Sequence, residues 1–256
     1  MRILVVIPVF NERDTAASVA RHVRRYADDV LLINDGSTDG TGAEIDRIRG
    51  PLGLHVIHHG RNLGYGRALR DAFAWAENEG FDWVISMDCD EQHEPDALPG
   101  FFSRISMDDA DIISGSRYLF RDTDPTGSAP AGRRRINRLV TAELNDRLGL
   151  SLTDGFCGFK AHRVETLRRL TLTEDGYAFP MQLWVQLAAK GARIVEHPVR
   201  LIYLDPNRSF GGGLDDDTHR LAHYRAVLHD EIRRFADDLP ESAWADLCPR
   251  CCCDRA

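Results

Sequence analysis

Ile3-Leu4-Val5-Val6-Ile7-Pro8-Val9-Phe10-Asn11-Glu12 opens the chain with an apolar run that a proline halts and polar residues follow at once. Such a run reads as a strand, and the proline fixes where it ends, delivering polar groups at its carboxyl edge. Working outward, similar Val/Ile/Leu-rich runs recur at 29–34, 54–59, 82–87 and 110–115. Helix-length amphipathic segments lie between most of them, around 14–26, 38–49, 66–80 and 94–105. Strands alternating with helices predict the α/β class, a mainly parallel sheet flanked by helices.

Past the fifth run the rhythm changes. Residues 118–132 turn to Asp, Thr, Pro, Gly, Ser and Ala, the composition of a loop long enough to serve as a lid. An arginine-rich helix is predicted over 133–149, then Thr153-Asp154-Gly155 and a short strand, a helix over 179–190, an apolar strand over 193–199 and a charged helix over 216–238. The expected organisation is a main domain over 1–205, a C-terminal loop and helix extension over 206–240, and a flexible cysteine-rich tail over 241–256.

A chain of 256 residues is ample for one such core, and no apolar run approaches the roughly 20 residues of a bilayer-spanning helix. The first run lacks the longer apolar core and small-residue cleavage site of a signal peptide, so it reads as the first strand of a cytoplasmic protein. A formal net charge of -8 argues against nucleic acid as partner, since phosphate neutralisation needs a net basic face. Of six cysteines, Cys89 and Cys157 stand alone, while Cys248, Cys251, Cys252 and Cys253 crowd the end without completing a zinc pattern.

Ligands of open α/β sheets gather at the carboxyl ends of the strands, so the loops there carry the chemistry. The first, Pro8 to Glu12, can grip a base and ribose. The second, Asn34-Asp35-Gly36-Ser37-Thr38-Asp39-Gly40-Thr41, offers two carboxylates to ribose or base donors, and also reads as a tight turn with a helix cap at Ser37 or Thr38. The third, Asn62-Leu63-Gly64-Tyr65-Gly66-Arg67-Ala68, sets two glycines and a cation before a helix, where backbone can approach a nucleotide closely. It is not joined to the first strand and has no Lys-Ser/Thr pair, which disfavours dinucleotide-fingerprint and P-loop readings.

The fourth loop closes the series with Ile85-Ser86-Met87-Asp88-Cys89-Asp90-Glu91-Gln92-His93-Glu94-Pro95. Alternate residues of an extended strand point the same way, so Asp88 and Asp90 converge while Cys89 points elsewhere. Hard oxygen ligands of this kind suit Mg2+ or Mn2+ bridging to a diphosphate, and the competing reading is a pair of acids capping the next helix.

With VVIPVFNE, INDGSTDGT, NLGYGRALRDAF, MDCDEQHEPDAL, SGSRY and TDGFCGFKAHR in that order, the first 200 or so residues resemble the family-2 glycosyltransferases of GT-A fold, in their dolichyl-phosphate mannose synthase-like branch. The resemblance implies nucleotide contacts at Pro8, Val9, Glu12, Asp35 and Asp39, with Asn11, Gly64, Arg67 and Cys89 completing the donor-binding set. It implies a metal held by Asp88, Asp90 and Gln92, with Asp90 the principal ligand. Arg117 and the cluster Arg133, Arg134, Arg135 and Arg138 resemble the region where this branch holds an acceptor phosphate, although a basic helix face in solvent carries the same pattern. Two features depart from the branch: Gln182 stands where a glutamate is common, and YLDPNRSFGGG lacks the usual lysine-containing motif.

The expected activity is metal-dependent, inverting transfer of a hexose from a GDP- or UDP-sugar. The acceptor is a polyprenyl phosphate met at the cytoplasmic face of a membrane, or a hydroxyl of a glycan or glycolipid. A phosphate oxygen is already anionic, whereas a hydroxyl needs a base, for which Asp154 is the candidate. A nucleotidyltransferase is expected to carry a glycine-rich, arginine-containing loop where this chain has Pro8 to Glu12. A silent nucleotide-binding module is opposed by Asp88 and Asp90 and left open by Gln182.

Overall fold

The computed structural model describes residues 1–89, 94–119, 130–200, 202 and 212–247. Its strands are β1 (Ile3–Val9), β2 (Asp29–Asn34), β3 (His55–His58), β4 (Trp83–Ser86), β5 (Ile112–Ser116), β6 (Lys160–Arg163) and β7 (Ile194–Pro198), in one sheet of order β3-β2-β1-β4-β6-β5-β7. Its helices are α1 (Ala16–Val23), α2 (Thr41–Leu52), α3 (Tyr65–Asn78), α4 (Leu98–Ile105), α5 (Ala131–Leu148), the single turn α6 (Val164–Leu167), α7 (Phe179–Ala189) and α8 (Asp217–Arg234).

The apolar runs are strands because the sheet is covered on both faces. Along β1, Leu4 and Val6 join a core with Leu69 and Phe73 of α3, Val140 and Leu144 of α5, Trp184 of α7 and Leu228 and Ile232 of α8. Val5, Ile7 and Val9 turn to the other face, against Ala20 of α1, Ile45 of α2 and Phe101 of α4. The parallel pairs β1·β2, β1·β4, β2·β3 and β5·β7 send six strand ends toward one edge.

β6 is the exception, antiparallel to both β4 and β5 and inserted between them. After β5 the chain runs through α5 and returns along the carboxyl edge before entering β6 from that side. This delivers residues 153–160 to the edge where the β1, β2 and β4 loops end. Ser86 pairs with Lys160, so two residues further along the same register Asp88 faces Gly158.

The C-terminal part shares this core. Tyr224, Leu228 and Ile232 of α8 belong to the same apolar cluster as Leu4, and so do Ala243 and Leu247. Within residues 241–247, part of the stretch expected as a flexible tail, Ala243 and Leu247 are buried in this cluster and Trp244 packs against it; residues 248–256 lie outside the described residues. Among the described residues no helix is long and apolar enough to cross a membrane.

A polar clasp joins α5 to α8. Glu143 accepts from Arg225 Nε at 2.7 Å and sits 2.6 Å from His229 Nε2. The His229 hydrogen bond, ahead of Arg225, lowers its pKa from 4.5 to about 2. A carboxylate depressed on folding stabilises fully above its unfolded pKa and loses that contribution as pH falls toward its folded one. Thermal melts should therefore show Glu143→Gln melting below the wild type at pH 7, with the gap narrowing below about pH 4.5; a gap that widens in acid contradicts the assignment.

Candidate active site

The loops after β1 and β2 are stitched to one another. Asn11, in the left-handed region at φ 54°, donates its backbone N–H to Ser37 Oγ at 2.9 Å and accepts from the Thr38 N–H at 2.9 Å. The Glu12 N–H donates to Thr41 Oγ1 at 2.9 Å, and the Glu12 carboxylate accepts from Thr15 Oγ1 at 2.7 Å. Asp39 accepts from the Thr41 and Arg13 N–H groups, opening α2. The turn expected near Ser37 and Thr38 is present, but Asp39 supplies the cap, because its oxygens meet the first free N–H of the helix. Pro8 and Val9 close β1 beside it, with Val9 in the core.

Asp35, an expected nucleotide contact, is held by donors of the protein itself. Its buried carboxylate accepts from the N–H groups of Leu63 and Gly64 at 2.8 and 2.9 Å and pairs with His59 Nδ1 at 2.7 Å. Those donors hold it as the pin that fixes the 59–64 turn. Gly64, expected in the donor-binding set, makes a close approach within the protein itself: at φ 106°, an added Cβ would collide with the Asp175 carbonyl of the 174–176 turn. Gly66 packs on the Glu174 carbonyl in the same way. Arg67 pairs with Asp71 at 2.8 Å one helical turn on.

Asp88 stands at the end of β4, half-buried, and Tyr65 at the start of α3 gives its hydroxyl to the carboxylate. Burial of that hydroxyl and the Asp88 charge hold the Tyr65 pKa well above its ordinary value, so it stays a donor at neutral pH. Gly158 completes the cradle. A Cβ there would sit 2.8 Å from both Asp88 carboxylate oxygens and 2.9 Å from the Tyr65 hydroxyl. The carboxylate therefore faces a space kept free of side chain, of the kind that fits a small divalent cation. Asp90 and Gln92, the other expected ligands, lie outside the described residues, as does His93. The Cys89 thiol is buried in the α1/α2/α4 core with Met87 and Leu98, which corrects its place in the donor-binding set: alternation along the strand turns it away.

The other half of the edge is an ion pair. Arg117, just past β5, donates Nε to Asp154 Oδ2 at 2.6 Å and Nη2 to Oδ1 at 3.0 Å. Asn137 of α5 and the Phe156 N–H add donors to Oδ1. Asp154 has no exposed surface, while the Arg117 side chain keeps 15 %. Burial alone would raise the Asp154 pKa, but Arg117 overrides it and holds the carboxyl below the usual carboxylate range. A sealed, weakly basic carboxylate is not placed to take a proton from an acceptor, which corrects its expected role as base. It positions the Arg117 guanidinium instead.

The loop that carries Asp154 is held from three sides. Glu196 of β7 accepts from the N–H groups of Thr153 and Asp154 at 2.9 and 3.1 Å, the Gly155 N–H donates to Thr141 Oγ1 at 2.9 Å, and Trp184 Nε1 donates to the Gly155 carbonyl at 2.8 Å. Buried Lys160 donates to the Cys157 carbonyl and lies within the fields of Asp154, Arg117 and Asp88, linking the two halves. Of the arginine cluster, Arg134, Arg135 and Arg138 are exposed on α5 while Ile136 and Val140 face the core. Tyr65, Gly158, Lys160 and Glu196 received no role from sequence; Tyr65, Gly158 and Lys160 lie inside quoted motifs, which was the available signal.

A family model described as Glycosyl transferase family 2 matches residues 4–171. The chain belongs to glycosyl transferase family 2. This family-2 glycosyltransferase is 32 % identical to an undecaprenyl-phosphate mannosyltransferase of Micrococcus luteus over 84 % of its own length and 89 % of the relative's. It is 30 % identical to a polyprenol monophosphomannose synthase of Mycolicibacterium smegmatis, over 77 % and 76 % of the two chains. These two relatives match the expected likeness to the dolichyl-phosphate mannose synthase-like branch. Among solved structures it is similar to glucosyl-3-phosphoglycerate synthase from Mycobacterium tuberculosis in complex with Mn2+ and uridine-diphosphate-glucose, with TM-score 0.68, 21 % identity and coverage of 93 % and 80 %. At that identity the likeness is one of fold, the GT-A architecture.

Proposed function

We propose that this glycosyltransferase moves a hexose, mannose by likeness to its relatives, from a GDP- or UDP-sugar to a polyprenyl phosphate at a membrane surface. The observation that carries the acceptor is the Arg117–Asp154 pair. The carboxylate that a hydroxyl acceptor would use as base is sealed, while a guanidinium with residual exposure faces the edge, suited to an oxygen that is already anionic. The donor half is carried by the Asp88 cradle, which with Asp90 and Gln92 is the place for Mg2+ or Mn2+; bound there, such an ion offsets charge on the departing diphosphate. Tyr65 orients Asp88, Gly158 keeps its front clear, and the pinned β1 and β2 loops shape the nucleotide's seat. Attack from the face opposite the diphosphate inverts the anomeric centre.

The test is an assay with Mn2+, GDP-mannose or UDP-glucose, and a short-chain polyprenyl phosphate in detergent. Nucleoside diphosphate should appear far faster with the lipid phosphate than with the corresponding free polyprenol. Equal rates with both would overturn the acceptor reading. Pyrophosphate as product would move the protein to nucleotidyl transfer.

A further inference from the structure

Behind the site, three side chains form a polar triad, with Arg234 Nη1 a further 3.5 Å neighbour of Glu231 Oε1. Gln182 and Gln186, one turn apart on α7, are buried, and both aim their amide nitrogens at buried Glu231 of α8, at 3.0 and 2.6 Å. Their carbonyls turn the other way and take up the chain before α7. Gln182 Oε1 accepts from the N–H groups of Thr173 and Glu174 at 2.6 and 2.9 Å, and Gln186 Oε1 from that of Thr171 at 2.7 Å. Gln182 Nε2 also meets Thr173 Oγ1 at 3.0 Å, so the amide is fully used.

The segment held by the triad reaches the donor side. The Asp175 carbonyl accepts from the Arg67 N–H at 3.1 Å, and Glu174 and Asp175 present backbone to Gly66 and Gly64. Arg70 grips the Thr173 carbonyl and the Asp175 carboxylate. Tyr177 stacks on Tyr65, with ring centroids 6.0 Å apart and planes 14° apart. Between Gly64 and Gly66 stands Tyr65, whose hydroxyl orients Asp88. One continuous set of contacts therefore runs from α8 to the proposed metal carboxylate.

We propose that Gln182 is a positioning residue for the donor site, coupling the C-terminal helix α8 to the Tyr65–Asp88 pair through residues 171–176. This rests on the reading of the Asp88 edge as the seat of the metal–nucleotide. An amide is required at 182 because its nitrogen must donate to the Glu231 carboxylate while its oxygen accepts backbone N–H groups. A carboxylate at 182 keeps the second function and replaces the first with like-charge contact.

The test is calorimetric titration of GDP and of UDP in excess Mn2+ into the full chain, with kcat and KM measured for donor and acceptor. Gln182→Glu should bind the nucleotide about tenfold more weakly and lose kcat, with the acceptor KM unchanged. The exchanged pair Gln182→Glu with Glu231→Gln restores one carboxylate and one amide in contact, and should recover both. Wild-type binding in Gln182→Glu overturns the proposal, as does an exchanged pair that regains its melting temperature but not its nucleotide affinity. Should Gln182→Glu not fold, Arg70→Met releases the same segment from the surface side and should weaken binding about threefold; unchanged binding there overturns it equally. A wild-type chain that binds neither nucleotide overturns the donor-site reading beneath it.

Discussion

Replacing Gly158 by alanine is expected to lower kcat about a hundredfold while the domain stays folded. The added methyl would stand 2.8 Å from both oxygens of Asp88 and 2.9 Å from the Tyr65 hydroxyl, inside van der Waals contact with all three. Gly158 is not among the glycines at positive φ, so alanine strains no backbone and the collision has to be relieved by moving the carboxylate. A displacement near 1 Å at a group that orients reacting atoms costs about that factor. Circular dichroism and thermal melting should match the wild type, and the Mn2+ concentration for half-maximal rate should rise. An unchanged kcat would remove the Gly158 cradle from the site.

The second large effect is on stability. Asp154→Ala leaves Arg117 with its guanidinium mostly buried and its carboxylate gone, and should cost about 3–5 kcal/mol in urea unfolding. Because the Asp154 carboxyl is held below its ordinary range, its contribution is whole above about pH 4 and fades only as pH falls below that. The penalty should accordingly be constant from pH 6 to 9 as far as Asp154 is concerned. Replacing both partners, Arg117→Met with Asp154→Leu, should recover only the part of the loss due to the stranded guanidinium, since the Asn137 amide and the Phe156 N–H still lose their acceptor. It should not recover transfer to the lipid phosphate, which needs the guanidinium. Recovery of activity in the double variant would exclude Arg117 from the acceptor site.

The sequence made the first half of this molecule legible and the second half much less so. β1 to β4 announce themselves because each is a short apolar run, covered on both faces and followed at once by polar loop residues. Asp88 was readable as a site residue because strand alternation and sheet-edge position act within a few residues. What Gly158 does was not, since its relation to Asp88 depends on the register of β4 against β6, some 70 residues away, and on β6 running antiparallel. Asp35 and Asp154 look in sequence like carboxylates waiting for a ligand. Their partners, the Leu63 and Gly64 N–H groups in one case and Arg117 and Asn137 in the other, are decided by folding. Gln182 reads as a departure from a family pattern until Glu231, 49 positions later, is seen beside it.

The antiparallel insertion of β6 also sets the order in which the protein can be built. β1, β2 and β3 lie side by side in the sheet and are joined by local helical crossovers, so these pairings close short stretches of chain. The slot between β4 and β5 must instead stay open until residues 160–163 arrive, after α5 and a long loop closure whose entropic cost precedes any reward. During synthesis the N-terminal strands can pair while Asp88 still lacks Gly158 in front of it. Until β6 docks, the inner edges of β4 and β5 are unpaired strand edges, exposed to aggregation.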